Sequence, residues 1–155
     1  MMGFFSNLFE IKDSNYFAVS GLNLELFSLY IYDTYLKKQR GMIVVTNSLY
    51  EANMLVDTIT NYTDRVLFFP MDDFITSEAL AISPEFKSER INAINKLVDD
   101  NNYIVITNLM GILRYLPSVD IWKNSILEIY QSQKIDRFLL QEKLLELGYE
   151  KETIV

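Results

Sequence analysis

The sequence predicts an α/β fold, a parallel sheet flanked by helices. Two observations carry that expectation. First, short apolar runs recur along the chain: "YFAVS" (16–20), "MIVVT" (42–46), "RVLFFP" (65–70) and "NYIVIT" (102–107). Runs this apolar suit strands that are covered on both faces. Second, segments with apolar residues at helical spacing separate the runs, which is the alternation of a parallel sheet.

Each element has its own local signals. In "MMGFFSNLFEIKD", Phe4, Phe5, Leu8 and Phe9 fall on one helical face and suit packing on the domain body. The same stretch lacks the basic start and small-residue cleavage site of a secretory leader. "YFAVS" reads as a first strand, turning at Gly21 into a long helix. Leu24, Leu26, Phe27, Leu29, Tyr30 and Ile31 make that helix apolar almost all round. Such a helix is expected between the sheet and another layer.

"MIVVT" precedes a helix whose stripe is Leu49, Ala52, Leu55, Val56 and Ile59. Ser48 and Glu51 have the spacing of a capping box, which starts that helix at Ser48. "RVLFFP" is a third strand, stopped by Pro70, and "NYIVIT" a fourth. Between them lies a helix from about Pro84 to Val98. Ser83 is its N-cap, Pro84 suits its first position, and Ile91, Ile94, Leu97 and Val98 form its stripe.

After Pro117 the texture changes. "SILEIYQSQ" (125–133) reads as a strand and a polar turn. Asp136 then caps a helix with Phe138, Leu139, Leu140, Leu144, Leu145 and Leu147, ended by Gly148. "ETIV" (152–155) begins another strand-like run without a turn, the expectation for a cut inside a longer protein.

Composition narrows the chemistry. The chain has neither cysteine nor histidine, which excludes disulfides, a thiol nucleophile, imidazole catalysis and the usual zinc ligands. A reducing, cytoplasmic setting fits. A net charge of −7 repels phosphate backbones, so the chain is a poor autonomous binder of nucleic acid. No apolar stretch is long enough to span a membrane.

Four places are candidates for chemistry. "SGLNLELF" (20–27) has the outline of a phosphate-binding loop, but Gly21 is followed by Leu22, Asn23, Leu24, Glu25, Leu26 and Phe27. Neither the second glycine nor the lysine of G-x-x-x-x-G-K-[ST] arrives, so a tight strand-to-helix turn is expected. Asp72 and Asp73 could hold Mg²⁺ only beside a working phosphate loop, and read as a solvated pair. Arg90 is expected to bury its stem and bond a loop. Asp99, Asp100 and the charges around Lys143 read as solvated faces. No set assembles nucleophile, base and oxyanion donor, so no catalytic, cofactor-binding or metal residue is assigned.

The stretch "VLFFPMDDFITSEALAISPEFKSERINAINKL" (66–97) resembles the N-terminal region of bacterial transcription-repair coupling factor. Phe69, Pro70, Asp73, Ser83, Pro84, Glu85, Ser88 and Arg90 match that family in order. "YIVITNLMGILRYLP" (103–117) and "LLQEKLLELGYEKETIV" (139–155) fall where the family has similar pieces. Two departures concern loops: "FITSEALA" has no second proline, and Ser132 stands near a position where the family usually has glycine.

The resemblance implies a degenerate helicase-like α/β domain over residues 1–124. It also implies the beginning of a small α+β inserted domain over 125–155, which binds excision nuclease component A. It relates the first domain to that of excision nuclease component B, with the phosphate loop at Gly21 degenerate and no cofactor. The implied role is a non-catalytic adaptor that recruits component A to RNA polymerase stalled at DNA damage. Polymerase, DNA and the ATP-driven translocase belong to other domains of the full-length protein, and no membrane is involved. The family's main contact residues for component A fall beyond Val155, so none is carried over. The alternative is a nucleotide-dependent damage-recognition domain like that of component B. It would need Mg-ATP at Gly21 and a tyrosine-rich hairpin after the third strand.

Overall fold

A computed structural model describes Phe9, residues 16–73 and residues 83–152. The apolar N-terminal face at Phe4, Phe5 and Leu8, the loop 74–82 and the end of "ETIV" lie outside the described residues. The chain divides into two compact units, Met1–Arg114 and Tyr115–Val155.

The first unit carries α1 (Leu24–Lys38), β1 (Met42–Thr46), α2 (Leu49–Ile59), β2 (Val66–Phe69), α3 (Pro84–Asp99), β3 (Ile104–Asn108) and α4 (Leu109–Ile112). The strands form a parallel sheet in the order β1-β3-β2. Ile104 stands opposite both Met42 and Val66 in the register. All five residues of β3 are buried, which explains why "IVIT" is apolar without alternation.

The two faces of the sheet have separate cores. On one, Ile104 and Ile106 pack with Ile31 and Tyr35 of α1 and Ala52, Leu55 and Ile59 of α2. On the other, Leu67, Phe69 and Val105 pack with Ala93 of α3. Ile94 and Leu97 lie against this second cluster, whereas Ile91, placed by the sequence on the same stripe, is exposed.

Two other expectations need correction in this unit. Tyr16–Ser20 is not a strand: it is irregular, and Tyr16 is 93% exposed. Strand-forming residues make a strand only where a ladder satisfies their backbone, and no described strand lies beside these. Nor is α1 buried all round. Ile31 and Tyr35 face the core, while Leu26 and Phe27 remain exposed because no described element covers that side. The buried Asp33 is matched by Lys37 at 2.7 Å, and Lys37 also donates to the Phe9 carbonyl at 2.9 Å.

The capping signals hold with adjustments. Ser48 Oγ accepts from the Glu51 N–H at 3.2 Å, but the Glu51 carboxylate accepts from Asn47 N–H at 3.1 Å instead of closing the box on Ser48. Ser83 is the N-cap of α3, yet its hydroxyl donates to Glu85 and not to the helix backbone.

The second unit holds α5 (Val119–Asn124) and α6 (Arg137–Glu146). "SILEIY" is not a strand. Ser125 closes α5 through the Ile121 carbonyl at 3.1 Å, and the Tyr130 N–H turns to Gln133 Oε1 at 3.0 Å, so the backbone is used locally. Asp136 caps α6 by accepting from Phe138 and Leu139 N–H at 2.8 and 3.2 Å. Gly148, at φ 87°, ends it as read from the sequence.

Two substitutions test these backbone constraints. A Cβ at Gly41 would lie 2.0 Å from the Asn101 carbonyl oxygen. Gly41→Ala should therefore cost about 1–3 kcal/mol in urea unfolding, the usual range for overpacking. Ser132 sits at φ 67°, a left-handed position. Ser132→Gly should raise stability by about 1 kcal/mol, seen as a higher melting temperature, by relieving the Cβ–carbonyl crowding of that conformation.

Candidate functional site: the C-terminal edge of the sheet

Open parallel sheets bind ligands beyond the C-terminal ends of their strands. Here β1, β3 and β2 end at Thr46, Asn108 and Phe69. The chain's own groups span this edge. Thr107 Oγ1 donates to the Phe69 carbonyl at 2.7 Å, and Thr46 Oγ1 to the Ser48 carbonyl at 2.7 Å. Asn108, fully buried, donates from Nδ2 to the Met71 carbonyl at 2.6 Å and to Asp73 Oδ1 at 2.7 Å. Its Oδ1 accepts from Gly111 N–H at 3.3 Å, which turns β3 into α4. Gly111 is required there, since a Cβ would lie 2.1 Å from Thr107 Oγ1.

The Asp73 carboxylate also accepts the Leu49 N–H, at 3.0 Å to each oxygen. It thus occupies the first turn of α2, where free N–H groups and the helix dipole favour an anion. This corrects the reading of Asp72 and Asp73 as one solvated pair. Asp73 is exposed but ties β3 and α2 to the loop leaving β2, whereas Asp72 is half-buried and acts on Arg90. Consecutive side chains diverge, as sequence spacing indicates. The partners of Asp73 are distant in sequence, so no local pattern could reveal them.

Arg90 behaves as expected. Its Nη1 donates to the Pro70 carbonyl at 3.0 Å from a partly buried position. Burial lowers its pKa below the ordinary guanidinium value, with Arg114 adding to the shift and Asp72 opposing it.

Gly21 adopts φ 80°, and open space surrounds the position of a Cβ. Asn23 Oδ1 accepts from Leu26 N–H at 3.0 Å and caps α1 itself. Because Tyr16–Ser20 is outside the sheet, this turn does not extend a described strand. Among the described residues there is no group of three or more acidic side chains placed to hold a metal, and no helix is long and apolar enough to cross a membrane.

No protein-family model and no solved structure matches the chain. Curated proteins do. Over 153 residues, 97% of the chain, it is 31% identical to a Transcription-repair-coupling factor of Staphylococcus epidermidis. Over 118 residues, 75% of the chain, it is 32% identical to the Transcription-repair-coupling factor of Bacillus subtilis. The chain belongs to the transcription-repair-coupling factors. It spans about 13% of the length of the first of these relatives and 10% of the second. Phe69, Pro70, Asp73 and Arg90 hold the edge together through the bonds just described.

Removing either partner of this clasp should be costly. Asn108→Ala strands the Met71 carbonyl and the Gly111 N–H, and should lower stability by about 1–3 kcal/mol. Asp73→Ala removes the exposed cap and should cost about 1 kcal/mol. In urea unfolding the double variant should lose less than the sum, because one bond is shared.

Proposed function

We propose that this chain is a non-catalytic, N-terminal adaptor region of a transcription-repair coupling factor. It recruits excision nuclease component A to RNA polymerase stalled at DNA damage, in nucleotide excision repair in the cytoplasm. Residues 1–124 serve as a nucleotide-free, helicase-like domain, and 125–155 begin an inserted domain that binds component A. Other domains of the factor engage polymerase and DNA and contain the ATP-driven translocase.

The observation that carries the reading is the similarity to coupling factors along 97% of the chain. The occupied edge supports its non-catalytic part: Asp73 fills the N-terminus of α2, and the Gly21 turn has no lysine for a phosphate. The charge of −7 favours action through a protein over direct contact with DNA. Residues 125–155 favour a partner, because Ile129, Tyr130, Phe138, Leu139 and Tyr149 lie exposed among them. Exposed apolar groups in that density mark interaction surfaces.

Titration with purified excision nuclease component A from the same source tests the role. Saturable binding is expected, to this chain or to one extended through the whole inserted domain; failure of both would end the adaptor reading. Mg-ATP should leave the melting temperature unchanged. A saturable rise would instead support the nucleotide-dependent alternative, since a ligand that binds the folded state raises its stability.

A further inference from the structure

Two arginines from distant parts of the chain meet beside the end of β2. α3 brings Arg90 there, and its Nη1 donates to the Pro70 carbonyl at 3.0 Å. The preceding carbonyl, that of Phe69, accepts from Thr107 Oγ1 at 2.7 Å and would lie 3.1 Å from a Cβ at Gly111. α4 is thus packed on the same turn of chain. Arg114 follows directly, its N–H donating to the Gly111 carbonyl at 3.2 Å. The two guanidiniums are near enough for the charge on Arg114 to act on Arg90.

The shell around them is rigid. Pro70, Met71 and Gly111 are buried, and Ala93, one turn along α3 from Arg90, lies in the core. Arg90 and Asp72 are half-buried, and Arg114 is exposed. The bond to Pro70 occupies one nitrogen of Arg90 and leaves the rest of its fork. Among the described residues no carboxylate bonds either guanidinium, and Asp72 acts on Arg90 through space.

Two positive charges against one negative leave an excess of a single positive charge at this spot, in a chain whose total is −7. Like charges held together at a half-buried place oppose one another unless an anion joins them. The excess matches a carboxylate, a monoanion that the planar guanidinium fork binds through paired hydrogen bonds. A phosphate dianion would overcompensate it and meet the repulsion of Asp72 and the exposed Asp73. Nucleic acid is disfavoured further, because the exposed neighbours Leu109, Ile112 and Leu113 are aliphatic and offer no ring for a base to stack on. They suit the apolar side chains that flank an acidic residue in a protein segment.

We propose that Arg90 and Arg114 form a receptor site for one Asp or Glu side chain of a protein partner, with the aliphatic residues of α4 as its apolar border. Arg90, anchored on Pro70, is the fixed half, and Arg114 supplies the second fork from an exposed position. The site lies in the first unit and goes beyond the adaptor reading, which assigns component A to residues 125–155.

NMR of the arginine Nε–Hε resonances tests the site in the 155-residue chain, with capped tetraglutamate as the probe at constant ionic strength. The Arg90 and Arg114 resonances should both shift saturably with tetraglutamate and stay in place with capped tetraglutamine. Arg114→Gln, at an exposed position, should keep the fold and weaken tetraglutamate binding at Arg90 by about tenfold or more, the loss of one charge-assisted pair. Absence of shifts at both arginines would overturn the proposal, as would binding that Arg114→Gln leaves unchanged. Tighter binding of inorganic phosphate or of a single-stranded oligonucleotide at the same two arginines would overturn it too, assigning the pair to phosphate. Component A is absent from these measurements, so failure of the adaptor role and failure of this site are read separately.

Discussion

The first unit depends on β3. β1 and β2 pair with β3 and not with each other, so neither has a sheet until residues 104–108 arrive between them. The strand is buried along its whole length and supplies both cores: Ile104 and Ile106 on the face of α1 and α2, Val105 on the face of α3. Buried peptide groups must be hydrogen-bonded, so a central strand without both neighbours would leave one row of donors and acceptors unsatisfied. The last two residues of β3 then extend its influence past the ladder. Thr107 and Asn108 use their side chains to fasten the chain leaving β2.

That fastening bears on function. In a nucleotide-binding α/β domain, the C-terminal edge offers backbone donors and a helix N-terminus to phosphate. Here the Leu49 N–H at the start of α2 is taken by Asp73, itself held by Asn108, and the Glu51 N–H by Ser48. A carboxylate that is part of the chain competes at high effective concentration with any free anion. The first unit thus uses its strand ends for internal cohesion. Phe69, Pro70, Asp73 and Arg90 act in that cohesion.

Much of the first unit was legible in the sequence. The runs at 42–46, 65–70 and 102–107 became strands because each is apolar enough to be buried and is bounded by turn or capping residues. Arg90 could be anticipated because it sits beside an apolar stripe, with a long stem and a charged end that needs an acceptor. Tyr16–Ser20 and "SILEIY" have equally strand-like composition, yet neither is paired in a ladder. Composition describes what a residue would do if paired, and it is silent on whether a neighbour exists. Asp73 illustrates the same gap for the site, since its donors come from α2 and β3.

Local chemistry settled what lies within a turn or two of each residue. Ser48 and Asp136 cap the helices that follow them because a short side chain can reach N–H groups two or three residues ahead. Pro84 opens α3 and Gly148 ends α6 for equally local backbone reasons. Tertiary structure alone decided the order β1-β3-β2 and the pairing of Asp73 with Leu49 and Asn108. Each depends on which distant segments meet, and that choice is made by burying two apolar faces at once, a condition that no single stretch of sequence contains.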